Sequence, residues 1–191
     1  MIARRKSDIS FMLACWVFGL AGIVLATQPK EVKSAVPGQK GTVLLFVASL
    51  CPCTDAHRIM VDQLVEKYAP GEFRFYAVFP NLGENQERAE YFFRQIKWDM
   101  NFIIDATGKL AQRYKATRTP QAVVLNPKGK VLFNGPIDDA NLNQGRVDHA
   151  YLKDALGDIR AGKTVKEKEV PPLGGCWIVA DSTATGIVWG K

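Results

Sequence analysis

Thr42 to Ala48 reads TVLLFVA, an uncharged run of apolar and β-branched residues. A strand with one wet face alternates apolar and polar residues. An unbroken run belongs to a strand covered on both faces, which places it at the centre of a sheet. Directly behind it, residues 54–68 put Ala56, Ile59, Met60, Leu64 and Tyr68 at helical spacing, with Arg58, Asp62, Glu66 and Lys67 between them. A doubly covered strand followed at once by an amphipathic helix points to layered α/β architecture.

The pattern continues in the same order. Phe73–Phe79 reads as a strand and Glu84–Lys97 as a helix, with Ala89, Phe92, Phe93 and Ile96 on one face. Phe102–Ile104 is a short strand and Gly108–Tyr114 a short helix. Gln121–Leu125 and Lys130–Phe133 flank Asn126-Pro127-Lys128-Gly129, a tight-turn sequence, and so should form a hairpin. Val147–Arg160 is a last helix with Tyr151, Leu152, Ala155, Leu156 and Ile159 on one face, and Gly162 is placed to cap it. The order gives a sheet that is parallel at first and closes with an antiparallel hairpin. Residues 163–191 have no clear period. They carry Trp177, Ile178, Ile187, Val188 and Trp189, which are costly to leave in water, so the tail should pack on the domain.

The chain before this domain is of another kind. Arg4, Arg5 and Lys6 precede Ile9–Ala26, which contains no charge. That run is at the short edge of the about 17–25 residues that span a bilayer, and Val24-Leu25-Ala26 before Thr27 is a tolerable cleavage site. Residues 1–27 therefore read as a signal peptide or a membrane anchor. The basic flank keeps its own end in the cytoplasm, so everything that follows should be exported to the periplasm or another extracytoplasmic space. Cys15 falls within this run. Residues 28–41, rich in proline, glycine and lysine, form a polar linker, 42–162 the domain and 163–191 the tail. The net charge is +6, and +4 without residues 1–27. With no Lys/Arg stripe interleaved with aromatics, this does not point to a nucleic-acid partner.

Chemistry concentrates at Cys51-Pro52-Cys53, between the apolar strand and the first helix. The carboxyl end of a strand and the N-terminus of a helix are where α/β sheets place their sites. Amide N–H groups there stabilise an anion, so a cysteine ionises readily, and the thiolate is the reactive form. Cys51, Cys53 and Cys176 make an odd count in the exported part, which implies one free thiol or a pair that exchanges partners. His57 and His149 read as solvated polar side chains, and Asp138-Asp139 as turn residues.

The strand, the cysteine pair, the helix and the later Arg118-Thr119-Pro120 before Gln121–Leu125 resemble the thioredoxin fold, and more narrowly the redoxin group of thiol-disulfide oxidoreductases and peroxiredoxin-like proteins. Phe102-Ile103-Ile104-Asp105, Leu110-Ala111 and Tyr114-Lys115-Ala116 are similar to that group's strand, aspartate and short helix. Phe133-Asn134-Gly135 with Ile137-Asp138-Asp139 resembles its glycine-aspartate segment, and Gly175-Cys176-Trp177-Ile178 resembles a Gly-Cys-x-Ile tail of one branch. The likeness spans residues 40–179. It implies a three-layer sandwich around a mixed central sheet, here preceded by an N-terminal hydrophobic helix. It further implies a cis peptide bond before Pro120 facing Cys51, with Thr119 and Arg118 lining a substrate groove.

The resemblance implies an exported thiol-disulfide oxidoreductase acting on protein thiols and disulfides with a separate redox partner. Cys51 would be the nucleophile, and Cys53 or Cys176 would resolve the mixed disulfide. No cofactor beyond the cysteines is expected. The chain departs from the usual Cys-x-x-Cys, with Thr54 where the second cysteine stands. A Cys51–Cys53 bridge would close a small, strained and easily reduced ring. Three alternatives stay open. One is a copper-handling protein with Cys51, Cys53 and either His57 or His149 as ligands. The second is a peroxidase, although no hydroxyl residue stands three before either cysteine. The third is a non-catalytic module with a structural bridge.

Overall fold

The computed structural model describes residues 38–140, 146–180 and 188–190. The N-terminal hydrophobic run with Cys15, its cleavage site and most of the linker lie outside the described residues. Among the described residues no helix is long and apolar enough to cross a membrane.

A six-stranded sheet forms the middle layer. Its strands are β1 Gly41–Phe46, β2 Phe73–Phe79, β3 Asn101–Ile104, β5 Gln121–Leu125, β6 Val131–Gly135 and β8 Val188–Gly190, in the spatial order β6-β5-β1-β2-β3-β8. β1, β2 and β3 run parallel, and β5, β6 and β8 are antiparallel to their neighbours. The apolar strand β1 is central and covered on both faces. Val43, Leu45 and Val47 face one core, and Leu44 and Phe46 the other. All five are fully buried, which is why no polar residue interrupts Val43 to Val47.

The larger core lies under α2 Arg58–Tyr68, α3 Gln86–Ile96 and α5 Tyr151–Arg160. It includes an edge-to-face cluster in which the rings of Phe79 and Phe92 are 5.6 Å apart and those of Phe92 and Trp98 5.7 Å apart. The smaller core lies under α4 Lys109–Arg113 with Tyr114 and Ala116. Buried Asp105 starts α4 by accepting hydrogen bonds from the Leu110 and Ala111 amides, which have no carbonyl partner within the helix. The result is a three-layer α/β sandwich around a mixed sheet.

Three expected elements are redrawn, the last helix among them, which starts at Tyr151 rather than at Val147. The helix expected over 54–68 is two, α1 Pro52–Ala56 and α2, broken at His57. The break shifts the buried face to Val61, Leu64, Val65 and Tyr68, and Ile59 is left 66% exposed. Glu84 lies before α3 rather than in it. The cap is Asn85, whose side chain accepts a hydrogen bond from the Arg88 amide.

The tail joins the sheet at several points. The Asn134 and Val170 amides bond across the outer edge of β6 to Lys168 and Asn134 carbonyls. β7 Cys176–Trp177 pairs antiparallel with β4 Arg118–Thr119, and β8 pairs with β3.

Candidate active site

Cys51 caps α1. Its carbonyl accepts hydrogen bonds from the Thr54 amide at 2.9 Å and the Asp55 amide at 3.3 Å. Pro52 follows at the first helical position, where a missing N–H costs nothing. Thr54 is buried, and its hydroxyl accepts a 3.4 Å hydrogen bond from the Ala48 amide. It ties the end of the strand to the helix rather than taking part as a second redox residue. The Ser49 amide and hydroxyl both donate to Glu84 Oε1, at 2.7 and 3.0 Å. A buried carboxylate therefore braces the turn just before Cys51.

The Thr119–Pro120 peptide is cis, and Thr119 is fully buried. Cys51 Sγ lies 3.3 Å from the Thr119 carbonyl oxygen. Pairing of β7 with β4 sets Cys176 directly opposite Thr119. That register brings Cys176 Sγ to 2.6 Å from Cys51 Sγ. Three further contacts hold the tail there. Arg118 Nη1 donates to the Gly175 carbonyl at 3.1 Å, the Arg118 guanidinium sits 3.2 Å from the centre of the Trp177 ring, and the Ile178 amide donates to the Thr117 carbonyl at 3.0 Å. Arg118, read as lining the groove, thus clamps the tail. Cys53 is half-buried in the first turn of α1, and the three sulfurs lie within 4.8 Å of one another.

The thiols are not equivalent. Burial pushes the Cys51 thiol up. Hydrogen bonds from the Cys176 and Thr119 side chains and from the Thr54 and Cys176 amides outweigh it and hold Cys51 down at about 7. Cys176 is pushed up to about 12, by burial and then by its position as donor to Cys51 and that residue's charge. Burial, and then the charge of Cys51, also push Cys53 up. Of the three thiols, Cys51 is therefore the one that ionises first.

His57 was expected to be a solvated side chain, and here the structure corrects the sequence reading. Its ring is largely buried, with Nδ1 2.7 Å from the Cys53 carbonyl oxygen and Nε2 2.9 Å from Asp138 Oδ1. Both neighbours are oxygen atoms, so the pocket favours a ring that carries a proton on each nitrogen. Burial pulls the His57 pKa down, but the Asp138 carboxylate and the Cys53 carbonyl raise it above the usual value. Asp138 is likewise more than a turn residue: it is buried, and it joins α1 to the segment after β6. His149 is exposed in the loop before α5 and stacks on Tyr151, with ring centres 5.6 Å apart. Neither histidine joins the cysteines as a donor. The His57–Asp138 and Ser49–Glu84 pairs are not visible in the sequence. Partners 81 and 35 positions apart leave no trace in local periodicity.

Exposed apolar side chains rim the cysteines. Leu50 and Trp177 are their chain neighbours, and Leu82 is tied to the tail by a 2.6 Å hydrogen bond from its amide to the Val179 carbonyl.

Residues 38–131 match a protein-family model described as thioredoxin-like. The fold is thioredoxin-like. Among solved structures it is similar to an uncharacterized conserved protein from Geobacillus kaustophilus. That match has 24% identity and a TM-score of 0.69 over 76% of this chain and 79% of that one. A hypothetical protein from Sinorhizobium meliloti 1021 matches at 23% identity and TM-score 0.69, over 76% and 82%. These two share the thioredoxin-like fold. A secreted Mycobacterium tuberculosis disulfide oxidoreductase matches at 20% identity and TM-score 0.46, over 64% of this chain and 81% of that one. No curated protein matches by sequence. The thioredoxin-like domain places its cysteines beside the cis-proline turn, but it draws the third one from the tail.

Proposed function

We propose that the protein is an exported thiol-disulfide oxidoreductase in which Cys51 is the nucleophile and Cys176 the resolving thiol. The observation that carries this reading is the 2.6 Å approach of the two sulfurs across the β4–β7 pairing, beside the Thr119 carbonyl. Cys53 shares a turn with Cys51 and could pair with it only through a small strained ring, whereas Cys176 arrives from a separate strand.

The exchange balances in two steps. The Cys51 thiolate attacks one sulfur of a substrate disulfide, forming a mixed disulfide and releasing the other sulfur as a thiolate that takes up a proton. Cys176 gives up its proton to water or to the departing thiolate and attacks Cys51 Sγ. The Cys51–Cys176 bond forms and the second substrate thiol leaves. Substrate disulfide and enzyme dithiol become substrate dithiol and enzyme disulfide, and a redox partner reverses the enzyme's half. The same steps run backwards oxidise a substrate. A Cys51 held at about 7 is well matched to attack, because a thiol is most effective when its pKa lies near the ambient pH. The exposed Leu50, Leu82 and Trp177 rim favours polypeptide substrates over small polar ones.

The uncharged run Ile9–Ala26 behind Arg4, Arg5 and Lys6 supports export, with or without anchoring. A reporter fused after Lys191 should be active only outside the cytoplasm. Reduction of a protein disulfide, followed in vitro, tests the chemistry. C51S should be inactive, and C176S should accumulate a mixed disulfide through Cys51. An active C51S protein, or a C176S protein that turns over normally, would overturn these roles.

A further inference from the structure

We propose that the reduced site is a three-coordinate thiolate site for Cu(I), with Cys51, Cys53 and Cys176 as its ligands. This goes beyond disulfide exchange and involves Cys53, which the exchange steps do not use. The three Sγ atoms lie within 4.8 Å of one another. An ion bound to three sulfurs at about 2.3 Å in a plane needs them about 4.0 Å apart. Closing the site therefore takes only a side-chain adjustment that parts Cys51 and Cys176 from their 2.6 Å approach.

The chemistry of the donor set selects the ion. Thiolates are soft ligands and favour Cu(I), Zn(II) or iron–sulfur clusters. Structural zinc completes a tetrahedron with a fourth protein ligand. Among the described residues no fourth donor joins the group. The nearest imidazole, His57, has both ring nitrogens against oxygen atoms, so neither is turned toward the sulfurs. The nearby carboxylate, Glu84, holds the Ser49 amide and hydroxyl through Oε1, and neither of its oxygens lies among the three sulfurs. Three sulfurs without nitrogen or oxygen suit a soft monovalent ion that accepts trigonal coordination.

Two ligands come from one turn, Cys51 at the cap of α1 and Cys53 inside it, and the third from β7. The site is thus assembled only when the tail is docked. It is also exclusive with the oxidised enzyme, because a Cys51–Cys176 disulfide removes two of the three donors. Two electrons from a thiol or phosphine reductant convert that bond to two thiols. Metal binding then releases the thiol protons.

Anaerobic titration of phosphine-reduced, full-length protein with Cu(I), in competition with a chromophoric Cu(I) chelator, tests the proposal alongside X-ray absorption. One Cu(I) per chain is expected, with a sulfur-only first shell of three atoms at about 2.3 Å. C53S should weaken binding by more than a hundredfold, beyond the 10- to 100-fold that losing a supporting partner costs. H149A should bind within threefold of the unaltered protein. The disulfide form should bind none. A nitrogen in the first shell, a C53S protein within threefold of the unaltered one, or Cu(I) held equally by the oxidised form would each overturn it. Disulfide exchange measured on the same samples separates the two readings. Exchange without trigonal Cu(I) binding sinks this proposal alone, and trigonal binding without exchange sinks the oxidoreductase alone.

Discussion

Cys51 and Cys176 are chemically the same side chain, and their surroundings part them. Cys51 has donors on several sides, while Cys176 is one of those donors. C176S keeps a hydroxyl in place but loses the close sulfur, so the Cys51 pKa should climb from about 7 toward the free-thiol value of about 8.5. The pH dependence of Cys51 alkylation reads this directly; an unmoved midpoint would show that Cys176 does not hold the anion. His57 offers a second test. Its pKa is raised on folding, so its contribution to stability is complete below the unfolded value of about 6.5 and is lost as pH rises through the folded value. D138N should therefore cost about 1–3 kcal/mol at pH 6 and less at pH 8, measured by urea unfolding. Equal losses at both pH values would mean that the pair is not held by the imidazolium.

At the scale of elements, the site depends on how closely β7 lies on β4. Gly174 and Gly175 have φ of +90° and +91°, so alanine strains the backbone at either position. They differ in space. A Cβ on Gly174 meets nothing within 4 Å, whereas one on Gly175 would fall 2.6 Å from the Thr119 carbonyl oxygen. G174A should cost backbone strain alone, about 1–2 kcal/mol. G175A should in addition lift the strand and slow formation of the Cys51–Cys176 bond by tenfold or more, followed by thiol counting after addition of oxidised glutathione. Equal rates in the two variants would show that the close approach is not needed. The α1–α2 break is a lesson of the same kind. The residues from 54 to 68 carry a usable helical period, yet His57 ends one helix and starts another because its ring is held between Cys53 and Asp138. No local pattern carries that information.

Across the whole molecule the tail does two jobs. It brings Cys176 to Cys51, and as β8 it covers the edge of β3. An uncovered apolar edge invites pairing with other chains. Removing residues 171–191 should therefore lower the melting temperature by about 5 °C or more and promote self-association, checked by calorimetry and light scattering. A truncated protein that stays monomeric and equally stable would mean that β8 does not guard the edge.

The sequence alone determined the layered α/β plan, because a two-sided apolar strand and amphipathic helices admit few other arrangements. It also singled out Cys51, because a cysteine at a strand-to-helix turn is chemically distinctive wherever the rest of the chain goes. It marked the tail as a segment that must pack. Only the tertiary structure decided which cysteine meets Cys51, that His57 is clamped by Asp138, and that Glu84 braces Ser49. Periodicity reports which face of an element is buried. It says nothing about which residues, 125 positions apart in the case of Cys51 and Cys176, are brought to the same point.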